Sequence, residues 1–141
     1  MTDDTPVRFD TRIAVILREG LLPWQELNVT AFVVSGIAAD PHLLGDPYED
    51  ADGIRYLPLL AQPVMVFAAD GPTLAGLRAK AVERELRRAI YTREMFSTGH
   101  DAANRAAVRA VGSDALDLVG LAVHGPRNAV DRLTKAARKH D

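Results

Sequence analysis

Thr11-Arg12-Ile13-Ala14-Val15-Ile16-Leu17 decides the fold class. After Arg12 the run is apolar and largely β-branched, without the polar–apolar alternation of a strand that has one wet face. A strand of this kind is covered on both faces, which places it at the centre of an α/β sheet with helices above and below. The pattern recurs downstream. Pro63-Val64-Met65-Val66-Phe67-Ala68-Ala69 reads as a second buried strand, with proline at its start, where a ladder donor is dispensable. Ala89-Ile90-Tyr91-Thr92 reads as a short third strand, and residues 116–123 as a fourth.

The segments between these strands read as helices. After the loop at Gly20, Pro23 suits a first helical turn, and a helix is expected over residues 24–39. Trp24, Leu27, Ala31, Val34 and Ala38 recur at three- and four-residue spacing, and Val29, Phe32, Val33 and Ile37 widen that stripe. The helix should therefore be buried over much of its circumference. Asp52-Gly53 between Tyr48 and Tyr56 is a hairpin signal, and residues 45–58 read as an extended excursion. Asp70 is an N-cap, with Pro72 in the first turn of a helix expected to reach about Arg88. Alanine-rich helix is expected from His100 to Val111. A final helix opens at Gly125-Pro126, with Val130, Leu133 and Ala137 inward and Arg132, Lys135 and Lys139 as a basic stripe. Strands alternating with helices predict one sheet flanked by helices. The expected organisation is a flexible lead-in over residues 1–10 and a single domain over 11–141.

Composition narrows the function classes. The chain has 141 residues, 48% of them apolar, which is ample for a core. It has no cysteine, so disulfides, thiolate metal sites and cysteine nucleophiles are excluded, and a reducing cytoplasm is the expected setting. The acidic start, Met1-Thr2-Asp3-Asp4, is the reverse of a secretory leader. No apolar run approaches the roughly 20 residues of a membrane span, so no membrane partner is expected. Net charge is −2, a poor footprint for nucleic acid. That charge is uneven: residues 1–53 hold ten acidic and three basic side chains, and residues 54–141 hold nine and fourteen.

Phosphate loops, dinucleotide fingerprints and nucleophile elbows are all missing from the sequence. His42, His100, His124 and His140 have no ligand spacing, so neither a metal nor a cofactor is expected. The richest stretch is Tyr91-Thr92-Arg93-Glu94-Met95-Phe96-Ser97-Thr98-Gly99-His100-Asp101, which follows the carboxyl end of a strand, where α/β sheets place ligands. One reading makes Glu94 or His100 an acid/base group and Arg93 an anion binder. The other has Ser97 or Thr98 capping the next helix while Met95 and Phe96 pack. Trp24 could wall a pocket and Asn28 could position a carbonyl, and His124 precedes a helix start. Candidate catalytic residues are thus His100, Glu94 and Asn28. Candidate ligand-binding residues are Trp24, Tyr91, Arg93, Thr98 and His124.

Three stretches carry a resemblance: Val15-Ile16-Leu17-Arg18-Glu19-Gly20-Leu21 leading into Trp24-Gln25-Glu26-Leu27-Asn28-Val29, then Tyr91-Thr92-Arg93-Glu94-Met95-Phe96, then His124-Gly125-Pro126-Arg127. Together they look like an uncharacterised bacterial family of unknown function. That family in turn resembles the type II peptidyl-tRNA hydrolases, chiefly through residues 121–126 and the helix carrying Val130-Asp131-Arg132-Leu133-Thr134. The resemblance implies a four-stranded mixed sheet with helices on both faces, and a homodimer. The hydrolase pattern itself is missing: its lysine falls near Asn28, its glutamine near Phe32, its histidine near Ser35 and its acidic residue near Thr92. Asparagine cannot supply the missing cation. The expectation is therefore an enzyme-like or ligand-binding protein that uses the hydrolase cleft for a different small molecule. The alternatives are a non-catalytic interaction module and, third, residual hydrolase activity.

Overall fold

The computed structural model describes residues 5–141. The first four residues of the expected lead-in lie outside the described residues. Residues 5–9 form no regular element, and the chain is held where it enters the domain: Arg127 donates from its backbone to Asp10 O at 2.9 Å and from its guanidinium to Phe9 O at 3.4 Å.

The elements run β1 (Thr11–Arg18), α1 (Pro23–Ala38), β2 (Tyr48–Glu49), β3 (Arg55–Tyr56), β4 (Val64–Ala69), α2 (Gly71–Glu83), β5 (Arg87–Thr92), α3 (Asp101–Arg109), β6 (Leu118–Pro126), α4 (Arg127–Thr134) and β7 (Arg138–Lys139). The main sheet is mixed, with order β5-β6-β1-β4-β7. β1 pairs parallel with β4 and antiparallel with β6, and β5 is antiparallel to β6. β5 and β1 therefore run the same way, and their carboxyl ends lie at one end of the sheet. β1 sits at the centre with Ile13 to Ile16 fully buried, as its unbroken apolar run requires.

Each face of the sheet has its own core. On one, Val29, Val33 and Ile37 of α1 pack on Ile13, Val15, Leu17, Val119 and Ala122. On the other, α2 and α4 supply Leu74, Leu77, Ala81, Val130 and Leu133 to Ala14, Ile16, Leu121 and Val123. Side chains of β1 alternate between the two cores, as the two-residue period of a strand dictates.

The sheet has five strands, where four were expected. Lys139 does not continue a basic helical stripe from Arg132 and Lys135. α4 stops at Thr134, and the chain turns back to pair with Phe67 and Ala68 at the outer edge of β4. A two-residue strand carries no readable periodicity. α2 likewise ends at Glu83, five residues short of the expected Arg88. Glu85 adopts φ 55°, and the reversal buries Leu86 and releases Arg87 and Arg88 into β5. Asp70 caps α2 by accepting from Thr73 N at 2.8 Å. α1 begins where Pro23 suggests, with the Gln25 side chain accepting from Leu22 N at 2.9 Å. Its burial is narrower than the sequence implies: one row is inside, while Trp24, Leu27 and Phe32 are more than half exposed.

Candidate functional site

A cavity of about 500 Å³ lies beside the carboxyl end of β5. One wall is the row Trp24, Asn28, Phe32 and Gly36, spaced by four along α1 and so stacked on one helix face. The other wall is the chain that leaves β5: Tyr91, Met95, Phe96, Thr98, His100 and, from α3, Asn104. Residues 93–97 form a single 3-10 turn that carries Met95 and Phe96 back against α1.

Four aromatic rings define the cavity. Tyr91 is the hub, with its centroid 5.8 Å from Phe32 and 5.2 Å from Phe96, both tilted. Trp24 meets Phe96 edge-on at 5.7 Å and 71°. These are favoured aromatic geometries. A hydrogen-bond chain fixes the hub: Asn28 Nδ2 donates to the Tyr91 hydroxyl at 3.2 Å, which donates to Met95 O at 3.5 Å. Thr98 Oγ1 donates to the same carbonyl at 3.0 Å and lies against the Asn104 amide. Asp101, at the rim, is ion-paired with Arg105 one turn further along α3. Neither lysine nor arginine lines the cavity among the described residues.

The fold thus gathers five of the eight candidate residues: Trp24, Asn28, Tyr91, Thr98 and His100. His100 has a structural task, since its Nδ1 accepts from Ala103 N at 3.2 Å and caps α3, the role that one of the two readings of this stretch gives to Ser97 or Thr98. With Nδ1 accepting, a neutral ring carries its proton on Nε2.

Arg93, Glu94 and His124 are placed elsewhere. Arg93 turns away from the cavity to Asp117, its Nε 3.3 Å from Oδ2, and Arg18 grips the other oxygen of the same carboxylate at 2.6 Å. Glu94 is exposed and outside the cavity wall. On the 3-10 turn Met95 and Phe96 are the partly buried side chains, which leaves Arg93 and Glu94 on its outer side. His124 pairs with Ile13 and Arg87, at the amino ends of β1 and β5 and so at the opposite end of the sheet. It lies before a helix in sequence, but two residues along an antiparallel strand separate its side chain from the turn.

His124 is 9% exposed; its Nδ1 accepts from Arg87 at 3.0 Å, and the same guanidinium donates to Ile37 O at the end of α1. Burial, then the neighbouring Arg87 charge, pull its pKa below the ordinary 6.5. The opposite shift occurs at His140, raised by its hydrogen bond to Glu26. The consequences for stability have opposite signs. His124 favours the folded state above about pH 6.5, and that contribution declines as pH falls toward and through its folded value. The His140 contribution is full below the same pH and is lost as pH rises through its folded value. Proton NMR titration of the two imidazoles is expected to separate them, His124 titrating below His140. The reverse order would contradict both placements.

Phe32, Phe96 and Asn104 were not among the sequence candidates. The signal for Phe32 was present: Asn28 is a polar break in a row otherwise built from Trp24, Phe32 and Gly36, and such a break marks a row that faces something other than core. Asn104 gave no such signal, because an asparagine in an alanine-rich helix reads as solvent-facing.

A family profile described as a protein of unknown function (DUF2000) matches residues 11–140. No curated protein matches the chain. A solved structure of a protein of unknown function from Agrobacterium tumefaciens strain C58 superposes with a TM-score of 0.91 at 45% identity, covering 95% of this chain and 100% of that one.

Proposed function

We propose that this chain, which belongs to the DUF2000 family of unknown function, binds a small planar ligand in the cleft between α1 and the segment that follows β5. The carrying observation is the convergence of Trp24, Phe32, Tyr91 and Phe96 on one cavity whose other polar groups are amide, hydroxyl and imidazole, with the Asp101 carboxylate at the rim paired to Arg105. Aromatic faces hold a flat group, and neutral polar groups read its edge. With no lysine or arginine among the described residues of the wall, and Arg105 beside the rim committed to Asp101, a phosphate or carboxylate would find no free counter-charge. The ligand class is therefore a neutral heterocycle.

Binding without catalysis fits the hydrogen bonding. Tyr91, Thr98 and the acceptor nitrogen of His100 are all engaged in holding the wall, and among the described residues no nucleophile is hydrogen-bonded to a base there. The likeness to type II peptidyl-tRNA hydrolases enters here as a proposal about fold only. At the position of the hydrolase lysine, Asn28 is committed to Tyr91, so hydrolysis of a tRNA ester stands behind binding. A cytoplasmic setting is part of the same reading and rests on the absence of cysteine.

Trp24 is the only tryptophan of the chain and lies in the wall, so its fluorescence reports on the cleft directly. Titration with adenine, nicotinamide and riboflavin is expected to give saturable quenching by at least one of them. Phe96→Ala should weaken that binding about tenfold, the value of one lost aromatic contact. Absence of saturable quenching by all three, or affinity unchanged by Phe96→Ala, would remove the reading.

A further inference from the structure

A second groove, of about 420 Å³, continues from the aromatic cleft along α3. The two hollows share Ile90, Met95, Asp101 and Asn104 as lining, so together they form one trough. It follows the outer edge of the main sheet, where β5 is the last strand. α3 buries none of its residues, which leaves the space between helix and strand open.

Two rows of side chains spaced by four run from the cap of α3 along the helix and into this groove. The first is His100, Asn104 and Val108, an imidazole and an amide in the cleft and then an apolar group beyond it. The second is Asp101, Arg105 and Arg109. Asp101 and Arg105 hold each other in an ion pair. Arg109 is exposed, and its guanidinium has no hydrogen bond or ion pair among the described residues. Asp101 lies two turns back and is taken by Arg105, and Asp114, which follows the helix, lies 3.9 Å from Arg78. Polarity therefore changes along the trough. Aromatic rings and neutral polar groups stand at one end, Ile90 and Val108 in the middle, and an unpaired guanidinium at the other end.

We propose that the trough binds a heterocycle that carries a phosphorylated side chain, as a mononucleotide does. The ring occupies the aromatic cleft, the linking carbons lie against Ile90 and Val108, and the phosphate meets Arg109. This inference rests on the reading of the cleft as a heterocycle site and extends it. The ring itself stays neutral, as a wall without lysine or arginine among the described residues requires. The counter-charge lies further on. Arg109 is five residues past Asn104, about 7.5 Å of helix, a span suited to a sugar that joins a ring to a phosphate. A phosphate suits the groove better than a carboxylate because of its greater charge. It can recruit the N–H groups of Arg105 that Asp101 leaves free as well as those of Arg109, whereas a carboxylate competes with Asp101 on equal terms.

Three pairs of compounds test the proposal, the members of each differing only by a phosphate: adenosine, nicotinamide riboside and riboflavin, each with its monophosphate. Trp24 emission of the full chain is titrated with all six at low salt. In any pair that quenches saturably, the phosphate ester should bind at least about tenfold tighter than its parent, the effect of one charge-assisted contact. Added salt should shrink that ratio. Arg109→Gln should bring it close to one, and Arg109→Glu should invert it. Both variants alter an exposed side chain, so far-ultraviolet circular dichroism should match the wild type. A ratio near one in the wild-type protein would overturn the phosphate site and leave the cleft reading standing. A preference that survives Arg109→Gln would also overturn it, because the anion would then sit elsewhere. Quenching by none of the six would remove the cleft reading and this inference with it.

Discussion

Gly120→Ala is expected to destabilise the protein by about 3 kcal/mol, at the upper end of the usual cost of overpacking. Gly120 lies on β6, between Leu17 of β1 and Tyr91 of β5. α1 crosses so close that an added methyl would overlap Cγ1 of Val29, while Leu17 Cδ2, at 3.8 Å, would be in ordinary contact with it. Neither neighbour can yield easily. Val29 is fully buried and stiff at χ1, and Leu17 is 2% exposed. The conformational advantage of alanine over glycine, about 0.5–1 kcal/mol, offsets only part of this. Relief must come from moving α1 off the sheet, which also moves Trp24, Asn28 and Phe32. A lower denaturant midpoint should therefore accompany weaker binding in the cleft. Adding Val29→Ala makes room for the methyl, and the double variant should be more stable than the sum of the two single effects predicts. An unchanged midpoint in Gly120→Ala would contradict the packing described.

Tyr91→Ala should cost about 4 kcal/mol, the range for loss of a buried aromatic side chain, whereas Tyr91→Phe should cost about 1 kcal/mol, one net hydrogen bond. Tyr91 is 4% exposed and touches both Phe32 and Phe96. Its removal deprives the α1 wall and the 3-10 turn of the ring that joins them, so the Trp24 emission should shift toward that of a solvent-exposed indole. Phenylalanine keeps the ring contacts and loses only the bridge from Asn28 to Met95. Chemical denaturation of the three proteins separates these contributions. Equal losses for the two variants would mean that the hydroxyl, not the ring, holds the cleft together.

The site was only partly legible in the sequence. Trp24, Asn28, Tyr91, Thr98 and His100 were visible because they flank strand ends or helix starts, positions that local pattern identifies. Arg93 and Glu94 were attractive for the same reason and yet lie outside the cavity. A 3-10 turn points successive side chains about 120° apart, and the packing of Met95 and Phe96 on α1 decides which ones face in. His124 followed the rule that ligands gather after strands. That rule applies to the end of the sheet where β1 and β5 terminate, and β6 runs the other way.

What the sequence determined by itself was local and periodic. The unbroken apolar run of β1, the proline and aspartate that open α1 and α2, and Asp52-Gly53 at the hairpin all act through backbone preference and burial within a few residues. Strand order, and the pairing of Arg138 and Lys139 with β4, depend on contacts between segments far apart in the chain that no local pattern encodes. The tertiary structure alone decided which side of α1 became core. The helix is apolar almost all round, so its periodicity left the choice open. The close approach permitted by Gly120 drew the Val29, Val33 and Ile37 row onto the sheet, leaving Trp24 and Phe32 to face the cleft and Leu27 to face outward.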